Sequence, residues 1–334
     1  MIQPIIFGLS GTTLSADERR FFRDANPFGF ILFQRNCESP AQVRRLVAAL
    51  RESVARADAP VLIDQEGGRV ARLKPPHWRA YPAPATIAAL GGIEAREAAW
   101  LAARLIADDL AMLGITVDCA PVLDIPVPGA DPIIGDRAWG SDVRLVAERG
   151  LAFCDGLMAG GVLPVIKHVP GHGRGTVDSH KALPVVATPR SELDSTDFAP
   201  FRALSGMPWA MTAHVLYRAI DPERPATLSR EVIDGVIRTS IGFDGVLVCD
   251  DLSMQALGGS LQERARGALA AGCDLVLHCN GDMAEMSGIA DAIGGLSEAA
   301  RRRLTAGEVR RQAPGMFDRF DAERRLAALL ATRA

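Results

Sequence analysis

Gly161-Val162-Leu163-Pro164-Val165-Ile166-Lys167-His168-Val169-Pro170-Gly171-His172-Gly173-Arg174-Gly175-Thr176-Val177-Asp178-Ser179-His180 runs from an apolar segment straight into a polar one. The apolar part reads as a buried strand. The rest gathers three of the chain's six histidines with charged residues and three glycines. Each polar group would need a partner if buried, so a core has no use for this density. A loop over a polar pocket does.

The same arrangement, an apolar run ending in polar residues, recurs along the chain. Candidate strands cover residues 5–9, 28–33, 61–64, 117–120, 163–167, 209–214, 245–250 and 275–278. Amphipathic stretches at 17–24, 40–55, 95–113, 143–159, 192–204, 230–240, 262–271 and 282–293 read as the helices between them, several opening on a cap such as Ser39-Pro40 or Ser15-Ala16-Asp17-Glu18. Eight strands alternating with eight helices close most simply into a barrel, although a doubly wound sheet satisfies the same count. The polar ends help to choose. Asp64 ends the third run, Asp124 follows the fourth, Lys167-His168 end the fifth, His214 the sixth and Asp250 the seventh, while Gly8 and His278-Cys279-Asn280 end the first and eighth. Spread over most strands, they would line one shared mouth. The expected fold is α/β, a single-domain (β/α)8 TIM barrel over 1–334, with a helical basic C-terminal tail from about 296.

Composition allows this. With 334 residues, 48% of them hydrophobic, the chain can bury a large core, and a formal charge of -3 gives no general reason to expect nucleic acid as a partner. The six cysteines are dispersed, and Cys119, Cys249, Cys273 and Cys279 fall in or beside strand-like runs. They read as free thiols packed as small hydrophobes, which suits a reducing, cytoplasmic location. The N-terminus has no signal-peptide pattern, and no stretch approaches the roughly 18 apolar residues of a membrane span.

Two connections, 69–90 with its four prolines and 170–184, are long enough to be lids or binding loops. Beyond Leu296, Arg301-Arg302-Arg303, Arg310-Arg311 and Arg324-Arg325 alternate with Leu304, Val309, Phe317, Phe320, Leu326 and Leu329. Terminal helices with solvated basic faces account for this pattern better than an anion- or partner-binding tail.

Four groups of residues could carry chemistry. Asp250, at a strand end, is a carboxylate available to a barrel mouth, and the adjacent Asp251 is left to cap the next helix. Asp178-Ser179-His180 puts a carboxylate where it can hold one imidazole nitrogen and leave the other for proton transfer. Asp64-Gln65-Glu66-Gly67-Gly68-Arg69-Val70-Ala71-Arg72 offers carboxylates and guanidinium groups that either bind hydroxyls or brace a turn. Gly135-Asp136-Arg137-Ala138-Trp139-Gly140 offers the same choice, with Trp139 a sugar platform or simply packing. His168 and His172 have helical ligand spacing, but Pro170, Gly171 and Gly173 oppose a helix there, so no metal is expected.

At this point the sequence resembles the bacterial β-N-acetylhexosaminidases of glycoside hydrolase family 3, the NagZ type. The likeness rests on Gly29-Phe30-Ile31-Leu32-Phe33, Asp64-Gln65-Glu66-Gly67-Gly68-Arg69-Val70, the 167–180 stretch, Pro225-Ala226-Thr227-Leu228-Ser229, and Gly242-Phe243-Asp244-Gly245 running into Asp250-Asp251-Leu252-Ser253-Met254. It implies removal of a terminal β-linked N-acetylglucosamine with retention of configuration. By that resemblance Asp250 is the nucleophile, His180 the acid/base and Asp178 its partner, and Asp64, Arg72, Arg137, Lys167 and His168 bind the sugar. The substrate it implies is N-acetylglucosaminyl-1,6-anhydro-N-acetylmuramic acid, with or without peptide, from cell-wall recycling.

Val169 stands where the family usually has an aromatic residue, and Arg174 where a polar or acidic one is common, which leaves loop packing open. No cofactor is expected, the partners are small amino-sugar or muropeptide substrates with no nucleic acid or membrane, and the protein is expected to be a monomer. Carrying the acid/base on Gly171, Gly173 and Gly175 suggests a loop that closes on substrate and opens for product. A phosphorylase and a catalytically silent sugar-binding barrel are the alternatives, with a metal-dependent hydrolase behind them.

Overall fold

The computed structural model describes residues 1–331; the last three residues of the expected domain, 332–334, lie outside the described residues. Parallel strands β1 (Gln3–Phe7), β2 (Pro27–Leu32), β3 (Val61–Ile63), β4 (Val117–Asp118), β5 (Leu163–Val169), β6 (Trp209–Thr212), β7 (Val246–Asp251) and β8 (Leu275–His278) close a barrel in sequence order, β1 pairing with both β2 and β8. All eight expected strands are present. They read as unbroken apolar runs because a parallel barrel covered by helices buries both strand faces; Ile5, Leu62, Val165, Val246 and Leu275 are all fully buried.

Helices Ala16–Ala25, Pro40–Ser53, Gly92–Leu113, Val143–Ala159, Leu261–Ala271 and Met283–Ala292 wrap the outside, close to expectation. The Ser15 capping box forms: Ser15 Oγ accepts from the Glu18 N–H at 3.1 Å, and Glu18 Oε2 accepts from the Ser15 N–H at 2.9 Å.

Three regions depart from the sequence reading. The single helix expected at 192–204 is two short ones, Arg190–Ser195 and Ala199–Ala203, because Pro200 starts the second and cannot continue the first. The 230–240 segment is helical over Glu231–Ser240 but wide, a π-helix; at its end the Ile241 N–H reaches back five residues to the Val236 carbonyl at 2.8 Å. The 69–90 connection has regular structure of its own and brings Arg69, Val70 and Arg72 to the cavity described below. It contains an antiparallel pairing of Gln65–Gly67 with Val70–Ala71 and a short helix, Pro84–Ala88, and the buried Tyr81 hydroxyl donates to Asp109 Oδ2 at 2.7 Å.

The arginine-rich tail folds back onto the barrel. Helices Glu298–Val309 and Arg319–Ala331 bury Leu304, Leu326 and Leu329. Their arginines meet acids of the barrel and its helices: Arg303 bridges Asp244 and Asp274 at 2.9 Å each, Arg319 reaches Asp109 at 2.8 Å, and Arg325 reaches Glu97 at 2.6 Å. These basic faces are therefore largely paired with the body of the protein. Val309 and Phe320, both in the interleaved apolar pattern, are exposed.

Candidate active site

At the C-terminal ends of the strands lies a cavity of about 260 Å³. Its floor is an ion network built on β3 and β5. Lys167, in the last turn of pleat of β5, is 2% exposed, and its ammonium donates to Asp64 Oδ1 at 2.8 Å and sits 2.7 Å from Glu66 Oε1. Arg137 grips Glu66 through two parallel bonds of 2.8 Å, and Arg72 reaches Asp64 Oδ2 at 2.9 Å. Burial alone would raise the Glu66 pKa, but the charges of Arg137 and Lys167 and their hydrogen bonds outweigh it and bring it to about 2. Asp64 is held well below the usual carboxylate range in the same way by Lys167 and Arg72, again against burial. Both carboxylates stay ionised, with lone pairs facing a cavity lined by fixed donors.

Gln65, between those two acids, is the peg that holds them. Its side chain accepts from the Arg72 and Leu73 N–H groups at 2.9 and 3.0 Å and donates to the Leu73 carbonyl at 3.1 Å. Its own N–H donates to Asp118 Oδ1 at 2.9 Å. Asp118 is fully buried, and its other oxygen has no hydrogen-bond partner among the described residues. Burial pushes this carboxyl up to about 8, against the Gln65 N–H and the Lys167 charge, so it carries its proton at neutral pH.

The opposite wall comes from β7. The pairing of β7 with β8 slips between Val248 and Asp251, and that irregularity turns Asp250 to the cavity. Burial works to raise the Asp250 pKa; His168, His214, the Asp251 N–H and Lys167 bring the net direction down, leaving an ionised carboxylate. Asp251 does not cap the next helix, which Ser260 caps. It accepts instead from the N–H groups of Ser253 and Cys279 at 3.1 Å each, bracing the turn after β7 against the end of β8.

Above the cavity runs the 170–184 loop. His180 has 63% of its side chain exposed and lines the cavity, and its Nδ1 lies 2.8 Å from Asp178 Oδ1, which also accepts the His180 N–H at 2.9 Å. Burial raises the Asp178 pKa, but the two His180 bonds reverse the direction, so an anion faces Nδ1 and the other ring nitrogen is left for chemistry. The base of the loop is pinned. Arg174 meets Asp197 at 2.7 Å and Glu192 at 2.9 Å, and the Asp131 N–H donates to the Gly175 carbonyl at 2.8 Å.

Comparison with known proteins agrees with this geometry. The glycosyl hydrolase family 3 N-terminal domain matches residues 8–310. The chain belongs to glycoside hydrolase family 3. Proteins named β-hexosaminidase from Alkalilimnicola ehrlichii and Pseudomonas aeruginosa are similar to it: the first is 41% identical over 287 residues, covering 84% of this chain and 81% of that protein. The second is 39% identical over 279 residues, covering 83% and 82%. NagZ from Neisseria gonorrhoeae, solved in complex with N-trifluoroacetyl-D-glucosamine, superposes with a TM-score of 0.89 at 30% identity, covering 98% of both chains. This family 3 member is a glycoside hydrolase of the bacterial β-N-acetylhexosaminidase type.

Within this glycoside hydrolase, Asp64, Arg72, Arg137, Lys167, His168, His180 and Asp250 all line the one cavity, with Asp178 behind His180. Of the other polar strand-end residues, Cys279 lines the cavity, whereas Asp124, His214 and His278 do not. Asp124 is fully buried, holding His168 Nδ1 at 2.6 Å and accepting the His172 N–H at 2.6 Å. His214 is fully buried between Thr227 Oγ1 at 2.7 Å and the Asp251 carbonyl at 3.0 Å, and His278 is buried against Glu285. Trp139 packs on Phe153 at 5.6 Å and is no sugar platform, while Arg69 and Asp136 form an exposed ion pair of 2.7 Å. Among the described residues no cluster of three or more His, Cys, Asp or Glu is placed to hold a metal ion, and no helix is long and apolar enough to cross a membrane.

Sequence reasoning missed Glu66 as a floor residue and Asp118 beneath it. An acid inside an apolar strand run is the signal that could have found Asp118. Two of the glycines also have a packing role. Gly171 takes φ +142 with the Asp197 side chain against it, and a Cβ on Gly173 would lie 1.9 Å from the Ile125 carbonyl oxygen. Both serve close backbone approach at the pinned base of the loop.

Proposed function

We propose that this chain is a retaining exo-β-N-acetylglucosaminidase that removes a terminal β-linked N-acetylglucosamine. Its natural substrate on this reading is N-acetylglucosaminyl-1,6-anhydro-N-acetylmuramic acid, with or without a stem peptide, released in cell-wall recycling. The observation that carries the reading is that ionised Asp250 and exposed, Asp178-held His180 share one small cavity over a floor of fixed donors and acceptors. The relatives named β-hexosaminidase and the amino-sugar ligand of the Neisseria protein support the sugar class.

In the mechanism, Asp250 attacks the anomeric carbon and forms a covalent glycosyl-enzyme as the glycosidic C–O bond breaks. His180, as imidazolium, gives its proton to the departing oxygen; the neutral ring then takes one from the attacking water. Asp178 stabilises the imidazolium. Asp64, Arg72, Lys167 and His168 Nε2 would bind the sugar hydroxyls. Arg137 reaches the sugar less directly, since Glu66 already occupies its Nε and Nη2.

Release of 4-nitrophenol from its β-N-acetylglucosaminide and its β-glucoside, by the wild type and Asp250→Asn, tests this. Activity confined to the N-acetyl substrate and lowered on the order of 10⁴-fold or more in the variant is expected. A wild type inactive on both, or a fully active variant, overturns the assignment.

A further inference from the structure

The crown of the 170–184 loop, which carries His180, is joined to the body of the protein through the residue beside it. Ser179 is 3% exposed although His180 next to it is mostly open to solvent. Its hydroxyl lies 3.1 Å from Nε2 of His172, itself 3% exposed, and its carbonyl accepts the Ala256 N–H at 3.1 Å. Each contact leads to the reaction centre. His172 donates its backbone N–H to Asp124, whose other carboxylate oxygen holds His168 on the cavity wall. Ala256 lies in the segment that leaves Asp250, two residues beyond Met254 of the cavity lining.

A serine hydroxyl buried in a solvent-facing loop costs stability unless a partner meets it, and His172 meets it only when the crown is seated. We infer that Ser179 is the latch of the acid/base loop, a positioning residue that acts on proton transfer through His180 by seating the crown against His172 and the 254–257 segment. This rests on the reading of His180 as the acid/base. Through its hydroxyl Ser179 couples the crown to His172 and so to His168, and through its carbonyl to the segment that follows the strand of Asp250. His180 is thus brought to the scissile bond in register with both.

The test measures kcat/KM of Ser179→Ala on two β-N-acetylglucosaminides, one with a 4-nitrophenyl and one with an alkyl leaving group, together with amide hydrogen exchange over residues 176–183. Loss of one hydrogen bond is worth about fivefold. Exchange over 176–183 should rise by about that factor, kcat/KM for the alkyl substrate should fall by as much, and the nitrophenyl substrate should lose less than about twofold. Ser179→Thr, which keeps the hydroxyl, should restore the alkyl rate. His172→Phe should reproduce Ser179→Ala, and the double variant should be no worse than either single one, since both remove the same bond. Unchanged exchange, equal losses on both substrates, or additive losses in the double variant would overturn the latch. A wild type that releases neither leaving group would sink the acid/base reading instead, and the exchange measurement would still decide whether Ser179 holds the crown.

Discussion

Lys167 and His180 stand at the two ends of one stretch of sequence and face one cavity, yet their surroundings have little in common. Lys167 is 2% exposed and held between Asp64 and Glu66, on a strand paired to neighbours on both sides. His180 is open to solvent over 63% of its side chain and has one carboxylate partner, two residues away on the same loop. The floor is enclosed and braced from several elements, whereas His180 is open to solvent and braced from its own loop. A group that recognises a sugar gains from fixed position, because donors that need not reorganise bind without an ordering cost. A group that passes a proton to a leaving oxygen and later takes one from water must admit both, and a segment that can lift away does so.

The sharpest way to break this contrast is to loosen the floor. Lys167→Met leaves Asp64 and Glu66 without their shared buried cation, and the expected loss of stability is about 3–5 kcal/mol, read by urea unfolding, together with loss of sugar binding. His180→Ala attacks the crown instead. Stability should stay within about 0.5 kcal/mol, whereas kcat/KM on alkyl leaving groups should fall about 10²–10⁴-fold and on activated aryl glycosides far less. A large stability loss at His180 would show that the crown is as constrained as the floor.

Asp118→Asn probes the floor more gently. Asp118 keeps its proton in the folded chain at pH values where the unfolded chain has lost it, so the stability it contributes is complete below 3.8 and is lost as pH rises to about 8. The variant cannot titrate, and the fall in unfolding free energy from pH 5 to pH 8 should shrink by about 1–3 kcal/mol relative to wild type. An unchanged slope would mean that Asp118 is ionised beneath the floor. The smallest effect is expected for Arg69→Ala at the exposed rim, a stability change below about 1 kcal/mol by thermal unfolding, because its ion pair with Asp136 is open to water.

The barrel was legible because apolar runs and polar strand ends are local patterns, and so was the Asp178–His180 dyad, whose members are two residues apart. The Gln65–Asp118 and Asp124–His168 contacts join residues far apart in sequence, and spacing says nothing about such pairs. Ser179 is the inconspicuous middle of a triplet whose outer residues have recognisable chemistry, and its partner His172, seven residues away, shows only ligand-like spacing in the sequence. The packing role of the glycines was hidden for a related reason. A glycine marks either freedom or crowding, and only the backbone of Ile125 against Gly173 decides for crowding.

The pinned loop base has a bearing on how such an enzyme can change over generations. Asp64, Arg72, Arg137 and Lys167 come from three separate parts of a closed ring, so an alteration to one strains the others and must be matched elsewhere in the gene. On the proposed reading, the proton donor, its carboxylate and its latch serine are three consecutive codons on a segment tied down at its base, by Arg174 to Asp197 and by Gly175 to Asp131. On that reading a lineage can alter its acid/base triplet within three adjacent codons, provided that His172 and Ala256 still receive the crown, while the residues of the floor are inherited intact.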